Sequence, residues 1–313
     1  MNSHECAVCT LFEGHYHLGA AALINSLYAS GYRGRVICGV RGSLPSWADP
    51  IRIVENEIRA THFGEGFEVC FVPLATTMHL TNYKPTFLLD VWNKLATGAS
   101  KIYYIDPDVV VKCRWEVIDR WAEGGLALCE DVHPNLPTRH PFRLSWKEWL
   151  AKHGFAVAEP GRDKYYSGGF IGIPLECRDF LKIWSNVIAE ADLACGSLSA
   201  LKQGDPTSLF HSADQDAMNM ALMTSPAAVN ATGREGMDFE TGGHLLSHAI
   251  GTPKPWQGQH IWEALRGYPP AAASKQYLQH LATPIRVFNQ RTKFFLSASL
   301  KIAAIIGRFY RRA

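Results

Sequence analysis

Two aspartates at the end of an apolar run are the first residues in this sequence that could do chemistry. Residues 103–111 read Tyr-Tyr-Ile-Asp-Pro-Asp-Val-Val-Val, so Asp106 and Asp108 stand two apart where a buried strand ends. Hard carboxylate oxygens at that spacing suit Mg²⁺ or Mn²⁺. An ion held there bridges a diphosphate and neutralises the charge that builds on it as it leaves. The carboxyl edge of an α/β sheet is also where such sheets bind their ligands. Asp-Pro is equally a common turn pair, so the two aspartates alone leave a plain strand-to-turn transition open.

Three further segments carry candidate groups. His248 closes a strand and Lys254 follows in the loop Gly251-Thr252-Pro253-Lys254-Pro255-Trp256. A neutral imidazole is a third metal ligand, Lys254 meets phosphate as a point charge, and Gly251 lets the backbone approach closely. A capped loop with a solvated lysine would look the same. Asp214, Gln215 and Asp216, with Asn219 one turn on, open a helix, where carboxylates are favoured by the helix dipole alone. Tyr165-Tyr166-Ser167-Gly168-Gly169-Phe170 pairs two glycines that admit a ligand against the backbone or mark a bulge.

These groups need a scaffold, and the pattern around them alternates strand-like and helix-like segments. Strands are predicted over residues 7–12, 35–40, 67–72, 101–105, 125–129, 169–173 and 245–250. Helices are predicted over residues 18–29, 86–96, 176–191 and 214–223. That order predicts a mostly parallel sheet covered by helices. Residues 131–166, rich in Pro, His, Trp and Arg with one short helical pattern at 146–153, read as an irregular cover over a site. Cys6 and Cys9 form a CxxC inside the first apolar run and read as buried strand cysteines rather than a metal or redox pair.

At 313 residues with 47% hydrophobic and 19% charged, the chain is neither disordered nor fibrous. No stretch reaches the roughly 18 to 20 apolar residues of a spanning helix, and the start lacks a signal pattern. Eight cysteines scattered singly suit a reducing cytoplasm. The net charge of +2 hides an asymmetry: nine Lys or Arg and no acid follow Glu263, leaving 22 basic against 29 acidic residues up to and including it. In that tail Phe295, Ala298, Ile302, Ile305 and Phe309 recur at helical spacing, with Lys301, Arg308 and Arg312 on another face. Such a helix suits an anionic membrane surface, which favours a peripheral place at the inner face of a membrane. A helix docked on the domain or on a second copy stays open, and nucleic acid is not expected.

Together, in this order, the segments resemble the retaining sugar-nucleotide glycosyltransferases of glycosyltransferase family eight, the group of glycogenin and the bacterial lipooligosaccharide galactosyltransferases. The likeness covers residues 8–256. It rests on Thr10-Leu11 with Tyr16 and Gly19, Lys84-Pro85, Asp106-Pro107-Asp108, Ser167-Gly168-Gly169, Asp214-Gln215-Asp216 with Asn219, and H-x-x-G-x-x-K-P-W from His248 to Trp256. The resemblance implies an α/β GT-A domain over residues 1–260, with a donor-binding half near 1–130, and the basic segment 261–313 outside it. It implies Mn²⁺ or Mg²⁺ held by Asp106, Asp108 and His248 against the diphosphate of a UDP-sugar, with Gly251 and Lys254 on phosphate. Thr10, Leu11 and Tyr16 would meet the uridine. Lys84, Gly168 and Gly169 would line the donor, and Asp214, Gln215 and Asp216 would carry the transfer of a hexose to a saccharide or lipid-linked glycan. Two departures bear on specificity. Ser167-Gly168-Gly169 replaces the usual Asn-Ala-Gly, and the first strand lacks the Asp-Asn pair common in bacterial members.

Two other functions fit part of the pattern. A nucleotidyltransferase making the sugar nucleotide would want a basic, Gly-rich loop after the first strand, where residues 12–15 hold no Lys or Arg. An inactive carbohydrate- or membrane-binding domain would have no use for Asp106, Asp108, His248 and Lys254 together.

Overall fold

The computed structural model describes residues 6–48, 52–53, 58–64, 66–158, 163–195, 205 and 207–310. Arg311 and Arg312, and part of the cover at 159–162, lie outside the described residues. In chain order the elements are β1 (Cys6–Glu13), α1 (His17–Ala29), β2 (Arg35–Arg41), β3 (Arg52–Ile53), β4 (Arg59–His62), β5 (Glu68–Pro73) and α2 (Lys84–Lys94). Next come β6 (Lys101–Ile105), β7 (Val109–Val111), α3 (Trp115–Trp121), β8 (Leu126–Glu130), α4 (Pro141–Lys152), β9 (Tyr166–Pro174) and α5 (Asp179–Cys195). The chain ends with α6 (Ala213–Thr224), β10 (Val229–Thr232), β11 (Leu246–His248), α7 (His260–Leu265), α8 (Ala272–Gln279) and α9 (Gln290–Phe309).

Nine strands form one mixed sheet in the order β10-β8-β9-β6-β1-β2-β5-β4-β3, and β7 and β11 form a separate antiparallel ribbon. Strands β6, β1, β2 and β5 are parallel, as alternation of strand and helix predicts. Strand β9 runs against both of its neighbours, β6 and β8. The cause is the cover. The chain leaves β8 at the carboxyl edge, crosses that edge through α4, and re-enters the sheet from the same side, so β9 must run back. Gly168 and Gly169, near its start, thereby come level with the end of β6.

Each strand divides its residues between two cores by the two-residue period of a pleated strand. Ala7, Cys9 and Leu11 of β1 face Trp92 of α2, Trp184 of α5 and Met218 of α6. Val8 and Phe12 face Leu23 and Leu27 of α1 and Trp115 of α3. Cys9 is fully buried, and burial pushes its thiol far above the ordinary range, which suits packing rather than metal or redox chemistry. Four predicted elements shift. The helix of the cover spans Pro141–Lys152, the helix predicted at 176–191 is Asp179–Cys195, β9 begins at Tyr166, and the late strand shortens to Leu246–His248.

The segment after Trp256 packs on the domain. Tyr277, Leu281 and Trp256 form a small core with Ala22 of α1 and Val110 of β7. Asn25, fully buried in α1, gives its amide to the carbonyls of His280 and Ile285, both at 2.8 Å, and accepts from Ile285 N at 2.7 Å. Helix α9 turns Leu296, Leu300 and Ala303 inward and leaves Phe294, Phe295, Ile302, Ile305 and Phe309 exposed. Replacing Asn25 by Ala orphans three buried main-chain groups, so Asn25→Ala loses on the order of 3 kcal/mol in denaturant melts and opens residues 280–287 to protease. An unchanged unfolding midpoint would show that the side chain does not tie this segment down.

Candidate active site

The register of two strand pairs, β6 with β9 and β7 with β11, assembles the site at the carboxyl edge of the parallel strands. Ile105 pairs with Phe170, so the next step of the ladder joins Asp106 N to Gly169 O at 2.9 Å. His248 pairs with Val109 across the ribbon, and Ala249 N donates to Asp108 O at 2.9 Å. Asp106, Asp108 and His248 therefore converge, each offering a ligand atom within 4.8 Å of the others.

These three residues fit a divalent ion. Two carboxylates and an imidazole are a hard oxygen-rich set with one borderline nitrogen, which suits Mn²⁺ or Mg²⁺. His248 Nδ1 is buried with no hydrogen-bond partner among the described residues, an orphaned lone pair or proton that a ligand would satisfy. Gly169 supplies the space. A Cβ there would lie 2.7 Å from His248 Cε1, 2.9 Å from its Nδ1 and 3.3 Å from Asp106 Oδ2.

Two buried lysines balance the carboxylates. Lys84, first residue of α2 and only 1% exposed, reaches Asp214 Oδ2 at 3.0 Å, Asp106 Oδ1 at 3.2 Å and the Gly168 carbonyl at 2.9 Å. Burial alone would lower its pKa, but Asp106 and Asp214 outweigh that and hold it above the ordinary value. Lys254 lies 2.5 Å from Asp108 Oδ2 and donates to Ala249 O at 2.6 Å. Burial opposes ionisation of Asp108, yet His248 at 3.2 Å and Lys254 prevail and hold its pKa well below the usual carboxylate range. Trp256 anchors the Lys254 loop against α1: its ring fills the space over Gly19, where a Cβ would meet it at 2.7 Å. Its Nε1 donates to His15 Nδ1 at 2.9 Å.

The first turn of α6 splits its three residues. Asp214 turns to Lys84, Gln215 accepts from Gly168 N at 2.9 Å, and Asp216 turns away. The Asp216 carboxylate accepts from Tyr165 Oη at 2.7 Å and Ser212 N at 2.7 Å. Burial pushes its pKa up to about 7, against which those two hydrogen bonds pull down. Asn219 receives Tyr166 N at 2.9 Å and returns its amide to Tyr166 O at 2.9 Å, locking α6 to β9.

Of the sequence-expected residues, the structure brings together Asp106, Asp108, His248, Lys84, Lys254, Gly168, Gly169, Asp214 and Gln215. Tyr16 joins them through Lys254, whose Nζ stands 5.8 Å from its ring centre. Gly251 forms the exposed turn of the loop at φ +74°, a conformation that favours glycine. Thr10 and Leu11 differ: both side chains are buried in β1, and Thr10 Oγ1 has no partner among the described residues. Beyond Cys9, β1 is in register with β2 alone, so Thr10 and Leu11 would meet a ligand through their backbone edge.

Sequence reasoning missed Tyr104, whose Oη donates to Asp106 Oδ1 at 2.8 Å. Its spacing of two from Asp106, on one face of a strand, was the available signal. Arg41 was also missed; it binds both carboxylate oxygens of Glu13 at 2.7 Å and the carbonyls of Thr76 and Met78. His79 stands half-buried among Asp214, Glu13, Lys84 and Arg41, with burial holding its pKa below the ordinary imidazole value. It lies in an aperiodic loop that carries no pattern.

No family model and no curated protein matches the sequence. Solved structures do. An active-site mutant of LgtC, in which a glutamine is replaced by glutamate, matches with a TM-score of 0.50 at 13% identity, covering 92% of this chain and 99% of that one. The fold is GT-A. The bifunctional glycosyltransferase WbbM gives a TM-score of 0.48 at 14% identity over 90% of this chain, which spans 50% of WbbM. The glycosyltransferase GlyE of Streptococcus pneumoniae TIGR4 gives 0.48 at 14% identity, over 95% of this chain and 64% of that one.

The raised acid group of Asp216 has a consequence for stability. Its folded pKa exceeds the unfolded value, so its contribution is fully present below about pH 4 and is lost as pH rises through about 7, by on the order of a few kcal/mol. Asp216→Asn removes that dependence. The melting temperature of Asp216→Asn relative to the parent therefore rises between pH 5 and 8 in calorimetry, and a flat difference would mean that Asp216 is ionised throughout.

Proposed function

We propose that this protein is a metal-dependent retaining glycosyltransferase that moves a hexose, glucose or galactose, from a UDP-sugar to a saccharide or lipid-linked glycan. The observation that carries the reading is the convergence of Asp106, Asp108 and His248 between two buried lysines at the carboxyl edge of a GT-A sheet.

Asp106, Asp108 and His248 would hold the ion, which when bound supplies positive charge to the diphosphate as it departs. Lys254 would add a second cation on that diphosphate, fixed in place by Asp108 and Ala249 O. Lys84 holds Asp214 through one oxygen, leaving the other to accept from a hydroxyl of the donor sugar. Tyr16 and the backbone edge at Thr10 and Leu11 would meet the uridine.

Retention follows best from front-face attack. The acceptor oxygen bonds to the anomeric carbon on the side from which the diphosphate leaves, and the hydroxyl proton passes to the departing diphosphate oxygen. The alternative needs a carboxylate nucleophile. Gln215 is an amide bound to Gly168 N, Asp214 is paired with Lys84, and Asp216 accepts from Tyr165 and Ser212. Nucleotidyl transfer is disfavoured at the end of β1, where Glu13 is clasped by Arg41 and no Lys or Arg follows in residues 14–16.

The test is diphosphate release from a panel of UDP- and GDP-sugars without acceptor, with Mn²⁺ or with EDTA. UDP is released from one UDP-sugar only with metal, and Asp108→Ala or His248→Ala lowers the rate by about 100-fold or more. Silence across the panel, with no Mn²⁺-dependent thermal shift by UDP, would defeat the proposal.

The reading extends to a membrane. No described helix is long and apolar enough to cross one. Helix α9 instead turns Phe294, Ile302, Ile305 and Phe309 outward, α7 beside it exposes Trp262 and Leu265, and the chain after Glu263 carries nine basic and no acidic residues. An apolar face rimmed by cations matches an anionic leaflet. The protein co-sediments with vesicles of phosphatidylglycerol and phosphatidylcholine but not of phosphatidylcholine alone, and Phe309→Ser with Ile305→Ser weakens this. Equal binding to both vesicle types, or none, would refute it.

A further inference from the structure

Beside the first turn of α6, on the side away from the metal triad, α4, Tyr165 and residues 208–212 enclose a cavity of about 220 Å³. Its inner wall is aromatic: Trp146, held by a hydrogen bond from Nε1 to Leu209 O at 3.0 Å, and Tyr165, whose ring centre lies 6.2 Å away. Phe142 and His140, stacked at 5.7 Å, and His133 stand at its rim. Asp216 is the carboxylate among the residues lining it, and no lysine or arginine among the described residues lines it.

We propose that this cavity is an acceptor subsite that takes one neutral sugar ring of the acceptor, a position that rests on the glycosyltransferase reading. Aromatic faces against C–H surfaces, with scattered donors and acceptors for hydroxyls, are the chemistry that recognises a pyranose. The volume suits one ring. Charge narrows the class further: with Asp216 in the wall and no lysine or arginine among the described residues there, a carboxylated or phosphorylated sugar meets no fixed counter-charge from them.

The cavity is joined to the donor cleft by shared residues. Tyr165 Oη donates to Asp216, which follows Gln215 in the first turn of α6. Gln215 in turn accepts from Gly168 N, and the Gly168 carbonyl accepts from Lys84. One helical turn thus presents Asp214 to the donor side and Asp216 to the cavity. A ring seated on Trp146 and Tyr165 would hold its neighbour over that turn.

The experiment uses direct binding, so that it does not depend on finding the donor. Methyl glucoside, methyl galactoside, N-acetylglucosamine and lactose are titrated against the full chain by saturation-transfer NMR, with glucuronate and glucose 6-phosphate as charged comparators. At least one neutral sugar binds saturably, the charged sugars bind at least about tenfold more weakly, and Phe142→Ala and His133→Ala each weaken the neutral sugar by about three- to tenfold. Leu144→Ala, on the exposed side of α4 outside the cavity, keeps the parent affinity and controls for folding. No saturable binding by any neutral sugar, preference for the charged ones, or undiminished binding by both rim variants would overturn the proposal. If sugar binds as expected while every nucleotide sugar is inert with metal, the cavity stands and the transferase reading falls.

Discussion

The site depends on one electrostatic constraint: three carboxylates, Asp106, Asp108 and Asp214, brought together at a sheet edge with little access to water. Burying like charges is unfavourable unless cations and hydrogen bonds compensate them. Lys84 and Lys254, each less than a tenth exposed, provide that compensation, and every element of the site is placed so that they can. Lys84 must start α2 rather than lie within it, because only from there does its ammonium reach both Asp106 and Asp214. Lys254 needs a loop fixed at both ends, which His248 in β11 and Trp256 against Gly19 provide. Removing either lysine leaves an uncompensated buried charge, so the lysines position the acids as much as they offer charge to a ligand.

The second constraint is topological. Parallel strands alone would leave Gly168 and Gly169 at the far edge of the sheet. Reversal of β9 brings them beside Asp106, and only glycine leaves room there for the His248 ring. The same reversal requires the chain to cross the carboxyl edge between β8 and β9. That crossing, through α4, walls the aromatic cavity next to Asp216. The cover over the site and the glycines within it are thus one consequence of a single change in strand direction.

The basic C-terminal segment has one packed face and one exposed face. Asn25 and the core around Tyr277 and Leu281 bind it to α1, and Leu296, Leu300 and Ala303 fasten α9. The face that carries Phe295, Ile302, Ile305 and Phe309 then stays outward. An amphipathic pattern read in one dimension offers both docking on the domain and docking on a surface; here one stripe packs on the domain and the other faces outward.

Local chemistry was legible in the sequence wherever it depends on spacing. The Asp106-Pro107-Asp108 turn, the His248 to Trp256 loop and the alternation of strands and helices follow from patterns a few residues long, and so does the placing of ligands at a strand's carboxyl end. Tertiary structure decided what is set by contacts between distant residues. The direction of β9, the burial of the Thr10 and Leu11 side chains, the Arg41 clasp on Glu13 and the place of His79 depend on partners remote in the chain. So does the opposite facing of Asp214 and Asp216. Both lie in the acidic first turn of one helix, and only the neighbours they meet, Lys84 for one and Tyr165 for the other, set them apart.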